Sequence, residues 1–314
     1  MTKNIARRQF HKAAVMSAAT FAIAGAGASG AASSKAIRLG APVFDQFDDP
    51  MDWAKAHRDL GYGAAYCPVS YRDSSELKKA YVQAAQQANL VIAEVGAWSN
   101  PLSNDPVERE AAFRKNVEGL ALADEIGASC CVNIAGSRGD SWAGPHKENL
   151  SDETFDLIVE TVRKIIDEVK PRRTFYTLET MPFTIPETTE RYLALIKAMD
   201  RPQFACHLDP TNMVNSPYTF YDNTTLLKNA FKTLGPYIKS CHAKDLIMRD
   251  VSVVQFEEVI PGAGSFDYVS FLTELTNLSD DVPLMIEHLK TAQEYRQAAD
   301  YIKKVGSSQG IEFV

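Results

Sequence analysis

Four short apolar runs in this chain end on a side chain that can hold a metal ion or move a proton. They are Thr177-Leu178-Glu179, Leu208-Asp209, Ser240-Cys241-His242 and Met285-Ile286-Glu287. A carboxylate at the end of a buried strand is costly unless something pairs with it. At Asp209 the strand end is marked by Pro210, which has no amide hydrogen and cannot continue a ladder. Brought together, three carboxylates and one imidazole repel one another unless a cation sits among them. Mostly oxygen ligands with a single histidine suit one hard or borderline divalent ion, Mn²⁺ first, then Mg²⁺, Co²⁺ or Zn²⁺.

Whether the four groups meet depends on the elements that carry them. From residue 37 onward short apolar runs alternate with amphipathic segments. The runs at 37–44, 64–68, 90–97, 129–135, 174–179, 203–209, 237–242 and 282–287 read as strands. Helices are predicted at 50–60, 74–88, 105–126, 151–169, 187–199, 224–234, 266–278 and 292–305, with Asp105 and Ser151 as N-caps and Gly127 as a stop. Strands separated by helices pair in parallel through right-handed crossovers. Eight such units predict an α/β fold, a (β/α)8 TIM barrel over residues 35–314, near the usual length of about 250 residues. An open doubly wound sheet would place a glycine-rich phosphate turn after the first strand. That strand instead ends Ala41-Pro42-Val43-Phe44-Asp45. In a barrel all carboxyl strand ends surround one mouth, so Glu179, Asp209, His242 and Glu287 converge as a metal quartet.

Residues 1–34 are a different material. Arg7-Arg8-Gln9-Phe10-His11-Lys12 precedes an Ala/Gly/Ser-rich, weakly apolar run, the layout of a twin-arginine export signal. The expectation is recognition by the twin-arginine machinery and a periplasmic or exported location. Removing this leader takes away four positive charges and no negative one, which moves the net charge from −7 to −11. So acidic a surface repels phosphate backbones, which argues against a nucleic-acid partner. The five cysteines lack metal-type spacing and read as small buried hydrophobes.

The order Glu, Asp, His, Glu on the last four strands resembles the xylose isomerase-like TIM barrels. These include sugar phosphate isomerases/epimerases, ketose 3-epimerases, inosose dehydratase and endonuclease IV. The matching pieces are Leu178-Glu179-Thr180, His207-Leu208-Asp209-Pro210-Thr211-Asn212, His242-Ala243-Lys244-Asp245, Pro261-Gly262-Ala263-Gly264 and Ile286-Glu287-His288. The resemblance implies metal-dependent isomerisation or epimerisation of a small-molecule sugar by proton abstraction next to a carbonyl, through an enediolate. Glu179 and Glu287 would be the catalytic acid and base on opposite faces of the substrate, both also ligating the ion. Two departures redirect that expectation. Met181-Pro182-Phe183-Thr184 stands where ketose 3-epimerases carry an Asn-Arg-aromatic-Glu run, and Asn212 stands where they carry a histidine. The same enolisation then leads to an alternative outcome, elimination by a lyase or dehydratase acting on keto sugars, inososes or 3-keto-glycosides.

His207, Asn212, Lys244, Arg249, Trp142 and His146 complete the expected substrate contacts, His207 alternatively lying one layer below the metal. His288 follows Glu287, and strand alternation turns it away from the site. Two rivals are weighed. An endonuclease IV-like nuclease needs several more histidines at the strand ends, and a non-catalytic exported sugar-binding barrel would not need the glutamates. Monomer and homo-oligomer both stay open.

Overall fold

The computed structural model describes residues 36–279 and 281–314; the expected twin-arginine leader at 1–34 lies outside them. The strands are β1 (Leu39–Gly40), β2 (Ala64–Tyr66), β3 (Val91–Gly96), β4 (Cys130–Asn133), β5 (Phe175–Glu179), β6 (Phe204–Leu208), β7 (Ile238–Ala243), β8 (Asp245–Met248), β9 (Phe256–Val259) and β10 (Leu284–Ile286). The helices are α1 (Pro50–Asp59), α2 (Ser75–Gln87), α3 (Pro106–Ile126), α4 (Asp152–Val169), α5 (Thr189–Met199), α6 (Pro217–Tyr221), α7 (Asn223–Leu234), α8 (Tyr268–Thr276) and α9 (Ala292–Ser308).

Local chemistry sets most of these limits. Asp105 accepts the Val107 amide to open α3, and Gly127 closes it in the left-handed conformation at φ 72°. Ser151 accepts the Thr154 amide to open α4. In α4 Ile158, Val162, Ile165 and Ile166 recur at helical spacing and are all buried, so one stripe of the helix faces the sheet.

Eight strands close a parallel barrel in the order β1-β10-β7-β6-β5-β4-β3-β2. The four strands that carry the quartet are therefore consecutive around the ring. Their register aligns Glu179 with His207, Leu208 with Cys241, and His242 with Met285. Inside the barrel Met285 fills the space beside Gly40, where a Cβ would come within 2.5 Å of the methionine sulfur. Only glycine leaves room for that thioether.

The loop after β7 departs from the sequence reading. It folds as an antiparallel hairpin, β8 with β9, and the loop after β6 contains the short helix α6. Phe220 of α6 stacks on Phe256 of β9, with centroids 5.6 Å apart, and ties the two insertions together. The five cysteines are all free; four are buried and Cys67 is half-buried. Among the described residues no helix is long and apolar enough to cross a membrane.

Candidate active site

Glu179 is the last residue of β5, Asp209 and Glu287 each follow the last residue of a strand, and His242 lies one residue from the end of β7. One ligand atom from each of the four falls within 4.8 Å of the others. The sequence expectation that they converge is met by the geometry. Thr180 locks two of the strand ends together: its hydroxyl donates to the Asp209 carbonyl at 2.6 Å and accepts the Asp209 amide at 3.0 Å. Asp209 and His242 are fully buried, whereas the side chains of Glu179 and Glu287 keep 6% and 14% exposure. The two glutamates are thus the members of the quartet that face the mouth.

Sequence reasoning missed Glu94, in the middle of β3. It is 2% exposed and reaches across the barrel to β6 and β7. Its Oε2 accepts from His207 Nε2 at 2.8 Å and from the Ser240 hydroxyl at 3.1 Å, while its Oε1 lies 3.1 Å from His242 Nε2. A carboxylate at Nε2 takes that nitrogen's hydrogen, so Nδ1 is the nitrogen left to face the quartet. Nδ1 indeed lies 2.8 Å from Glu287 Oε1, 3.2 Å from Glu179 Oε1 and 3.9 Å from Asp209 Oδ2. The signal was available: an acid amid Val91-Ile92-Ala93 and Val95 needs a buried partner just as Asp209 does.

Lys244 supplies the nearest positive charge. Its ammonium, 1% exposed, lies 2.6 Å from Asp209 Oδ2, 2.5 Å from Glu287 Oε1 and 3.3 Å from Glu179 Oε1. Burial opposes ionisation throughout the cluster. At Asp209 burial wins over Lys244 and pushes the carboxyl up to about 7. At Glu179 Lys244 and His242 outweigh burial and the repulsion of Glu287, holding the carboxyl at about 2. Against the same burial cost, His242 and Lys244 keep Glu287 far below the usual carboxylate range, and His242 and His207 do so for Glu94. In return the carboxylates raise His242 and Lys244 well above their ordinary values, despite burial.

The donor set fits a divalent cation. Asp209 Oδ2 and Glu287 Oε1 are buried and lack any directed hydrogen bond, although a cation lies within 2.6 Å of each. A spherical ion has no hydrogens to aim, so it serves such oxygens better than an N–H donor. Four carboxylates, counting Glu94, also outnumber Lys244 and His242 together.

The remaining expected contacts divide. Asn212 is held at the quartet, its amide donating to Glu179 Oε1 and to the Thr180 carbonyl, both at 3.1 Å. His207 is wholly buried and bonded to Glu94, its ring T-shaped against that of His242 with centroids 4.1 Å apart, so it underlies the site and does not line the mouth. On β6 His207 stands two residues before Asp209, so its side chain lies on the same face one layer deeper. Arg249 sits on the hairpin turn, half-exposed and paired with Glu257 at 2.9 Å. Trp142 is exposed, and His146 lies beside Gly139 and accepts the Glu148 amide at 3.3 Å. No hydrogen bond or ion pair among the described residues ties Arg249, Trp142 or His146 to the quartet. His288 corrects the alternation argument. The chain leaves β10 with His288 at φ 62°, and its Nε2 comes back to 3.6 Å from Glu287 Oε1. A cavity of about 400 Å³ between α5, α6 and α7 includes Glu187, Met213 and Asn229 but none of the quartet.

The Asp245 and Pro-Gly-x-Gly pieces meet below the hairpin. Asp245 accepts the amides of Leu246, Gly262, Gly264 and Phe266 at 2.8–3.1 Å. A Cβ on Gly264 would come within 2.1 Å of Asp245 Oδ1, so the loop closes on the carboxylate only with glycine there.

Comparison with known proteins agrees with this architecture. A family model described as xylose isomerase-like TIM barrel matches residues 53–305. A "probable endonuclease 4" of Persephonella marina is 24% identical over 229 residues, 70% of this chain and 77% of that protein. The structure of D-psicose 3-epimerase from Clostridium cellulolyticum superposes with a TM-score of 0.62 at 14% identity, covering 86% of this chain and 99% of that one. A probable 3-DHS dehydratase of Bacillus anthracis superposes equally well, TM-score 0.62 at 16% identity, covering 82% and 93%. Likeness at such identities speaks for the fold. With the family model spanning most of the barrel, the chain belongs to the xylose isomerase-like TIM barrel family.

Proposed function

We propose that this protein is a divalent-metal-dependent isomerase or epimerase of a small carbonyl sugar. The observation that carries the reading is the meeting of Glu179 and Glu287 at His242 Nδ1, 3.2 and 2.8 Å from it, with both side chains keeping some exposure. An ion bound by Glu179, Asp209, His242 and Glu287, Mn²⁺ being favoured, would polarise the substrate carbonyl and stabilise the negative charge that develops on it. One glutamate takes the proton from the carbon next to that carbonyl, and the other returns a proton to the opposite face or to the neighbouring carbon. Glu94 and Asn212 hold His242 and Glu179 in place for this exchange. Asp209, with its amide bonds on one oxygen, serves as a fixed anchor.

A second outcome of the same enolisation, loss of water or of a glycosyl group, is favoured by the stretch after Glu179. There Met181 lies against Asn212, 3.7 Å from its amide nitrogen, and the 181–184 turn brings no carboxylate to the mouth. The nuclease reading finds less support, since among the described residues the quartet holds one histidine, His242, and the adjoining group of Glu94, His207 and His242 adds a single further one. The test is turnover of a panel of keto sugars, inososes and 3-keto-glycosides with Mn²⁺ present and products identified by NMR. Rearranged sugar supports isomerisation, an unsaturated product supports elimination, and no turnover of any member sinks both. Export through the twin-arginine route is part of the proposal; recovery of the protein from the cytosol alone counts against it.

A further inference from the structure

We propose that the Lys244 ammonium and the divalent ion compete for the same three carboxylates, so that loading the ion pushes this lysine off them and turns it toward substrate. The inference rests on the quartet being a metal site. Lys244 Nζ touches the oxygens an ion would need: Asp209 Oδ2 at 2.6 Å, Glu287 Oε1 at 2.5 Å and Glu179 Oε1 at 3.3 Å. Two of those oxygens, Asp209 Oδ2 and Glu287 Oε1, have no directed hydrogen bond. An ammonium and a dication cannot both hold them at full strength, because like charges a few ångströms apart in a buried site repel strongly.

The fold fixes the backbone of this lysine and leaves its side chain as the part that can respond. Its backbone is pinned, the Lys244 carbonyl accepting from the Tyr268 hydroxyl at 2.9 Å and the Thr211 hydroxyl at 3.3 Å. The four-carbon stem beyond that anchor is buried with the ammonium at its tip, and a buried ammonium displaced from carboxylates seeks other oxygens. Sugar hydroxyls in the mouth offer them. Lys244 thus steadies the acidic cluster before the ion arrives and becomes a substrate-orienting group afterwards.

The experiment is calorimetric titration of Mn²⁺ into chelator-stripped full-length protein, with thermal unfolding of the same samples. Lys244→Met removes the charge at similar size; Lys244→Gln removes it but keeps an N–H donor and reads the same quantity should the methionine variant not fold. The expected result is Mn²⁺ binding at least about tenfold tighter in these variants. The stripped variants should also unfold at lower temperature than stripped wild type and recover more on adding Mn²⁺. Lys244→Arg, which keeps the charge, should bind no tighter than wild type. Equal or weaker Mn²⁺ binding in both neutral variants overturns the competition while leaving the metal site standing. If wild type and variants alike bind no Mn²⁺, the metal reading itself falls.

Discussion

Asp209 and Asp245 are two fully buried aspartates near strand ends, and burial pushes the carboxyl of each upward. What surrounds them differs. Asp245 spends both oxygens on four backbone amides and thereby fastens the Pro-Gly-x-Gly loop beneath the hairpin. Asp209 gives Oδ1 to the amides of Thr211 and Asn212, while Oδ2 has no directed donor and lies 2.6 Å from the Lys244 ammonium. Equal burial thus hides opposite purposes: a saturated carboxylate builds structure, and one with an oxygen left over can bind a ligand.

The largest effect should come from Asp209→Asn. Losing the charge on the spare oxygen is expected to weaken Mn²⁺ binding by about 100-fold or more, above the 10- to 100-fold typical of residues behind the ligands. Sugar turnover should fall with it, while the fold, read by circular dichroism, is kept. Next comes Glu94→Gln, which removes the carboxylate that sets the His242 tautomer. Mn²⁺ affinity should drop about 10- to 100-fold, and normal affinity in this variant would remove Glu94 from the account.

Asp245→Ala sharpens the contrast from the other side. Four orphaned amides should cost about 3 kcal/mol or more of stability in urea unfolding, with one Mn²⁺ still bound per folded chain. Gly264→Ala should act in the same direction, since its new methyl group meets the Asp245 carboxylate. A loss of metal stoichiometry in either variant would erase the distinction between the two aspartates.

The smallest effect belongs to His57, a buried imidazole on α1 far from both carboxylates in sequence. Burial lowers its pKa below 6.5, although its Nδ1 bonds the Trp53 carbonyl at 2.9 Å. The unfolded chain therefore binds this proton more readily than the folded one. Stability from this group is full above about pH 6.5 and is lost as pH falls toward the lowered folded value. Comparison of urea midpoints at pH 8 and pH 5 in wild type and His57→Gln should show a smaller acid sensitivity in the variant.

The barrel was legible because its signals are local. Caps such as Asp105 and Ser151, the stop at Gly127 and the break at Pro210 act over a few residues and appear in the chain as written. The quartet was legible for the same reason, since each member stands at a strand end and the fold does the gathering. Glu94 was hidden because its partners lie 113 and 148 residues away, joined only when the barrel closes. The β8–β9 hairpin was hidden because its turn, Arg249-Asp250-Val251-Ser252-Val253-Val254-Gln255, has no glycine or proline, and Asp250 and Ser252 stand singly between other residues. His288 escaped because a left-handed residue breaks the alternation that placed it.

In the proposed reaction Glu179 and Glu287 pass a proton across a carbonyl sugar held at an ion. Its most direct test is solvent exchange: the Mn²⁺-loaded protein is incubated in D₂O with each keto sugar or keto-glycoside, and deuterium at the carbon next to the carbonyl is followed by NMR. Wash-in that requires the metal and is lost in Glu179→Gln and Glu287→Gln is the predicted result. Exchange that survives both substitutions, or proceeds equally in the presence of chelator, would contradict it.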